Sequence, residues 1–195
     1  MSARSPRTRT SRPPSGYALV YGREDIQARV AELGARIAAR LKARERPVAV
    51  VVLQGGFIFA ADLLRRLPPD LGLEIAFLRC ESYGTDTRSR GRVVLLQDLD
   101  ATLDLRGRTV LLIDDILDTG LTLRYLVAHL KQRGAARVKT CVLLQRRARK
   151  GSMRADFVGF EAGNEFFVGY GMDHAGKHRN VPDLWALLPR GGKRR

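Results

Sequence analysis

Apolar positions along the chain follow two periods. Val48–Leu53, Val110–Ile113 and Val138–Leu144 are near-continuous apolar runs, the pattern of strands buried on both faces of a parallel sheet. Leu73–Cys80, Val93–Gln97 and Val181–Leu188 also read as strands, and Glu165–Asp173 as a strand and turn. Between them the period changes. Ile26, Val30, Leu33, Ile37 and Leu41 recur at helical spacing, leaving Arg29, Arg36 and Arg40 for the solvent face. Phe57–Leu67 and Leu121–Arg133 complete the helical stretches, the latter stopped by Gly134 as a C-cap. Strands alternating with helices predict an α/β fold with a mainly parallel twisted sheet flanked by helices.

Two strand-to-helix junctions carry chemistry. After Val110–Ile113 come Asp114 and Asp115, then Asp118-Thr119-Gly120-Leu121-Thr122 at the start of a helix. A capped helix explains Asp118 or Thr119 but not two further carboxylates. The backbone N–H groups and two hydroxyls of Thr119–Thr122 can cradle a phosphate, with Gly120 permitting close approach. Asp114 and Asp115 are acceptors suited to ribose hydroxyls or to a hydrated Mg²⁺. The second junction, Gln54-Gly55-Gly56, again turns backbone amides toward an anion. A polar stretch, Glu81 to Gly91, reads on its own as a hairpin loop.

These residues resemble the phosphoribosyl-pyrophosphate (PRPP) motif of the type I phosphoribosyltransferases. The hypoxanthine-guanine branch, with its Asp-Ile-Ile-Asp-Thr-Gly-x-Thr loop, is the nearest likeness. The resemblance runs over about residues 20–188, with the motifs in family order. It implies a small hood from both chain ends and transfer of a 5-phosphoribosyl group to hypoxanthine or guanine. In that likeness Asp118 is the general base at purine N7. Asp114, Asp115, Asp118, Thr119, Gly120, Leu121 and Thr122 hold the ribose phosphate, while Gln54, Gly55, Arg79 and Arg179 meet the pyrophosphate. Ser82 and Tyr83 begin a flexible lid that keeps water from an oxocarbenium-like sugar. Phe166 stacks on the purine, the Phe167 backbone reads its edge, and Asp173 lies near the base and Mg²⁺. Asp114, Asp115 and Asp173 are thus the implied metal carboxylates. Gln54 and Gln145 stand where the family carries lysines. Gln145 is the implied base-reading residue, and a shift of one residue gives that role to Arg146.

Composition changes the picture only at the ends. The chain has 195 residues, enough for one domain, expected over 17–188, and carries a formal net charge of +15. Arg4, Arg7, Arg9 and Arg12, with Arg190, Lys193, Arg194 and Arg195, supply eight of those charges from the expected disordered tails 1–16 and 189–195. Seven remain, a balance suited to a polyphosphate substrate. Tails without interleaved aromatics carry no base-stacking signal, so nucleic acid is a lesser alternative. No apolar run reaches membrane-spanning length, and Cys80 and Cys141 read as reduced packing residues of a cytoplasmic protein. His174 and His178 lack a third ligand and suit hydrogen-bonding roles. The rival functions are a regulator on the same fold that binds PRPP or nucleotide, and an enzyme for another base such as xanthine or a pyrimidine. The family likeness also implies a homodimer or homotetramer.

Overall fold

The structure, a computed structural model, describes residues 13–83, 92–147 and 153–188. Residues 1–12 of the N-terminal tail, the C-terminal tail 189–195 and positions 84–91 of the expected lid lie outside the described residues.

The chain runs β1 (Tyr17–Tyr21), α1 (Arg23–Ala38), β2 (Val48–Leu53), α2 (Phe57–Leu64), β3 (Glu74–Tyr83), β4 (Arg92–Gln97), β5 (Thr109–Leu117), α3 (Leu121–Gln132), β6 (Arg137–Arg146), β7 (Phe157–Ala162), β8 (Phe167–Val168) and β9 (Leu184–Leu187). The larger sheet has the order β4-β3-β2-β5-β6-β7. Its pairings are parallel except for the antiparallel edge pair β3–β4. The predicted α/β architecture is therefore present. From β2 the chain builds outward through β3 and β4, then returns to β5 and builds the other way. The crevice between β2 and β5 is the switch point at which open α/β sheets bind ligands.

Alternation along the central strands divides the core in two. Ala49, Val51, Leu111, Ile113, Cys141 and Leu143 pack with α1 and α2, burying Ile26, Val30, Leu33, Phe59 and Leu63. Val48, Val50, Val110, Leu112 and Val142 pack instead with Leu123, Leu126 and Leu130 of α3. Continuous apolar strands are needed because helices cover both faces. The C-terminus of α3 is closed as expected: Gly134 has φ +96°, its N–H donates to Lys131 O, and Ala135 N–H donates to Leu130 O.

The second sheet, order β1-β9-β8, is antiparallel and joins the two chain ends into a hood, as the family likeness implied. Its short strands differ from the sequence reading. β1 here, like β7 of the larger sheet, went unmarked, and only Phe167–Val168 and Leu184–Leu187 of the two C-terminal stretches pair as strands. Between β8 and β9, Gly169, Tyr170 and Gly171 all have positive φ. Tyr170 is the costly one, since a Cβ opposes left-handed backbone by about 1–2 kcal/mol. Its backbone N–H donates to Val181 O, and its buried hydroxyl donates to Asp62 of α2 at 2.6 Å. Asp62 also accepts from Gln27 of α1 and pairs with Arg65. These bonds hold its carboxyl below the ordinary range although burial pulls the other way.

Tyr170→Phe should therefore destabilise the protein by about 1–2 kcal/mol in urea titration, with an unchanged m-value. Truncating the core at Phe59→Ala should cost more, about 3–5 kcal/mol. A Tyr170→Phe loss as large as that of Phe59→Ala would mean the hydroxyl does more than tie the hood to α2.

Candidate functional site

β5 outruns its neighbour. Its pairing with β2 ends at Val51↔Ile113, whereas pairing with β6 continues through Leu117↔Gln145. The strand thus extends past the carboxylate pair, rather than ending at it, and Asp114 and Asp115 are held on rigid backbone. The space that β2 vacates is filled by the Gly55–Gly56 turn, entered through a cis Leu53–Gln54 peptide. Only glycine fits: a Cβ at Gly55 would run into the Asp115 carboxylate. A Cβ at Gly171 would strike the Gly55 carbonyl, so hood, turn and acid pair are stacked in contact.

Electrostatically this centre is unfavourable by itself. Burial pushes the Asp114 carboxyl well above its ordinary value, and the charge of Asp115 pushes it further. Asp115 is also raised by burial, partly offset by hydrogen bonding with Asp114, by the Ile116 N–H it accepts from at 2.8 Å, and by the distant charge of Arg179. Among the described residues no cation lies within ion-pair distance of either. Adjacent buried carboxylates without a counter-charge suit a hard divalent cation that keeps its water and bridges to substrate oxygens. No cluster of three or more His, Cys, Asp or Glu among the described residues forms a self-sufficient metal cage.

Two contiguous cavities meet at Asp115 and Ile116. The larger, about 720 Å³, is lined by Gly55, Cys80, Ser82, Asp114, Asp115, Asp118 and the whole Thr119–Arg124 segment. Gly120, at φ +79°, opens α3 without a side-chain cap. Thr119 Oγ accepts from Leu121 N–H at 3.3 Å, a long bond that a phosphate oxygen can replace. Cys80 is inert, its thiol pushed up to about 11 by burial and by Asp114, Asp115 and Glu81. The smaller cavity, about 240 Å³, is lined by Asp115, Ile116, Arg146, Phe166, Phe167, Met172 and Asp173. Phe166 is half-exposed at its mouth, edge-on to His174 at 5.3 Å between ring centres. His174 Nδ1 in turn lies 2.7 Å from the Tyr17 hydroxyl, in line with the hydrogen-bonding role expected for it.

The sequence reading needs correction at three residues. Gln145 is buried and turned away from both cavities, its Oε1 accepting from Ala155 N–H at 3.0 Å. Successive strand residues face opposite ways, so it is Arg146 that enters the smaller cavity. Arg146 donates to Gly163 O at 2.8 Å, and its Nε lies 3.1 Å from Asp118 Oδ1, an ion pair too poorly aligned for a hydrogen bond. Arg79 points away from the larger cavity, which Cys80 and Ser82 line, and pairs with Glu81 at 3.3 Å. The Gln54 side chain is exposed and lines neither cavity, leaving Gly55 as that turn's contribution. Asp173 lines the smaller cavity, and Arg179, which lines neither cavity, pairs with it at 2.6 Å and donates to Gly171 O. Tyr83 closes β3, the last described residue before the expected lid. Arg124, at the start of α3, escaped the sequence reading altogether.

Comparison with known proteins agrees with this arrangement. Residues 22–175 match the family model of the phosphoribosyl transferase domain. A hypoxanthine-guanine phosphoribosyltransferase of Bacillus subtilis (strain 168) is 41% identical over 172 residues, spanning 88% of this chain and 93% of that one. One of Aquifex aeolicus is 41% identical over 170 residues, spanning 87% and 93%. A crystal structure of a hypoxanthine-guanine phosphoribosyltransferase from Bacillus anthracis, with HEPES in its active site, superposes with a TM-score of 0.79 at 37% identity, covering 88% of this chain and 98% of that one.

The acid pair has a measurable consequence. A carboxyl raised in the folded state binds more protons there than when unfolded, so it costs stability as pH rises from its ordinary value of 3.8. Asp114→Asn should therefore raise Tm in metal-free buffer at pH 7–8, with the gain shrinking toward about pH 4. A gain independent of pH would show that charge is not its source.

Proposed function

The chain belongs to the phosphoribosyl transferase domain family, and from this membership we infer that it is a purine-salvage enzyme, a hypoxanthine-guanine phosphoribosyltransferase. It converts PRPP and hypoxanthine or guanine into IMP or GMP and pyrophosphate. The observation that carries the reading is the meeting of the two cavities at Asp115 and Ile116, one fitted to a phosphorylated sugar and one to a planar base.

The reading gives each residue a role. Amides of Thr119–Thr122 hold the 5′-phosphate, and Asp114 and Asp115 accept from the ribose hydroxyls. The base lies between Phe166 and Ile116, with Arg146 donating to its exocyclic oxygen. As purine N9 forms its bond to C1′, the C1′–oxygen bond breaks and its electron pair leaves with pyrophosphate. Asp118 takes the proton from N7. Arg146, anchored on Gly163 O, holds Asp118 at the cavity edge until the base arrives. Asp114 and Asp115 are the carboxylates that would hold Mg²⁺ with its water, Asp173 being engaged by Arg179, and the ion would supply neutralisation of the departing pyrophosphate. Gly55 and Arg179 complete the pyrophosphate end.

The same proposal includes a homo-oligomer working in the cytoplasm. No helix among the described residues is long and apolar enough to cross a membrane. An apolar hollow of about 390 Å³ between α2 and β3 exposes Phe57, Ile75 and Phe77, a face suited to a second copy of the chain. Phe77→Arg should lower the mass seen by light scattering; an unchanged assembly would place the interface elsewhere.

Turnover should be measured with PRPP and Mg²⁺ against hypoxanthine, guanine, xanthine, adenine and uracil. A 6-oxopurine should be consumed, and Asp118→Asn should lower kcat by about 10²–10⁴-fold. Arg146→Ala should raise KM for the base more than KM for PRPP. PRPP binding without turnover of any base would move the protein to a regulatory role.

A further inference from the structure

We propose that Arg124 is the side-chain cation for the sugar 5′-phosphate, an ion contact that this chain supplies from the first turn of α3. The inference rests on the phosphoribosyl reading above and adds a residue to it.

The larger cavity has an unusual charge balance. Its charged lining consists of Asp114, Asp115, Asp118 and Arg124; Arg124 is the one cation among the described residues that line it. A phosphorylated, pyrophosphorylated sugar entering this cavity brings several negative charges to a surface already carrying three carboxylates. Mg²⁺ at the acid pair would relieve the pyrophosphate end. The 5′-phosphate lies at the opposite end, against Thr119–Thr122, where Leu121 is apolar. Backbone amides alone give partial charges there.

Arg124 is placed to supply the missing charge. Its position one turn into α3 brings the side chain back over the loop, the direction helical side chains take. Its Nη2 donates to Thr119 O at 2.9 Å, while Nη1 lies 3.4 Å from where a Cβ would stand on Gly120. One edge of the guanidinium is thus tied to the loop backbone. No carboxylate among the described residues pairs with it, in contrast to Arg146 on Asp118 and Arg179 on Asp173. A guanidinium fixed on one edge, and without an anionic partner, presents its remaining donors to a phosphate in the fork geometry such groups favour.

The test uses calorimetric titration of the full chain with ribose 5-phosphate, with magnesium pyrophosphate and with PRPP, at low and high salt. Arg124→Gln should weaken ribose 5-phosphate and PRPP by roughly ten- to a hundredfold, the range for a hydrogen bond to a charged group. Magnesium pyrophosphate should bind as before, and Arg124→Lys should recover part of the loss. Added salt should weaken ribose 5-phosphate binding to the wild type more steeply than to Arg124→Gln. Undiminished binding of ribose 5-phosphate by Arg124→Gln would overturn the proposal. So would equal losses for ribose 5-phosphate and pyrophosphate, or a salt-independent loss that lysine does not rescue, since either marks a collapsed loop. A wild-type protein that binds neither PRPP nor ribose 5-phosphate would sink the phosphoribosyl reading itself, a result separable from the behaviour of any Arg124 variant.

Discussion

Two neighbouring carboxylates, Asp114 buried and Asp115 partly buried, with no cation in contact among the described residues, are the constraint around which this structure is arranged. Burial and mutual repulsion oppose the ionisation of Asp114. A fold tolerates such a centre when surrounding structure over-determines it and when binding later supplies the missing charge. Both conditions are built here. β5 carries the pair on continuous strand paired to β6, so neither side chain can swing out to solvent by bending a loop. The glycine turn after β2 then closes over Asp115 at a distance that no Cβ permits. Under the proposed function, a divalent cation and ribose hydroxyls are the ligands that would correct these unfavourable electrostatics.

The cations are distributed by the same logic. Arg146 and Arg179 are each paired with a carboxylate, Asp118 and Asp173 respectively. Each is also anchored on a backbone carbonyl, so the pairs are fixed rather than exploratory. The phosphate side has no such internal pair.

Much of this was legible in the sequence because the central strands are apolar on both faces. Val48–Leu53 and Val138–Leu144 need no tertiary knowledge to be read as buried strands, and the glycines after β2 and the carboxylates late in β5 fall toward the strand ends where such sheets bind ligands. The hood was less legible. β1 alternates too weakly and β8 has only two residues, so their pairing is decided by contacts between chain ends far apart in sequence. The Gln145–Arg146 ambiguity had a definite cause as well. A strand's period of two makes a one-residue shift exchange the buried face for the cavity, and the family likeness does not fix that phase. Arg124 could have been found by projecting one helical turn from Gly120, a step that needs the helix start to be known to the residue.

The hood shows why both chain ends must be ordered for one site to exist. Phe166 and Asp173 flank a segment whose backbone is left-handed at three successive residues, an arrangement that a short β8 cannot impose. Tyr170 is held there from below, through Asp62 and Gln27 on α2 and α1, and from the side by Val181. Gly171 then rests on Gly55, which rests on Asp115. The wall of the base cavity and the floor of the sugar cavity are consequently one stack of backbone. A shift of the hood by a methyl group's width would displace the glycine turn and, with it, the carboxylate that both cavities share. Precision at the reacting carbon therefore depends on α1 and α2 packing beneath the hood as much as on the residues that touch substrate.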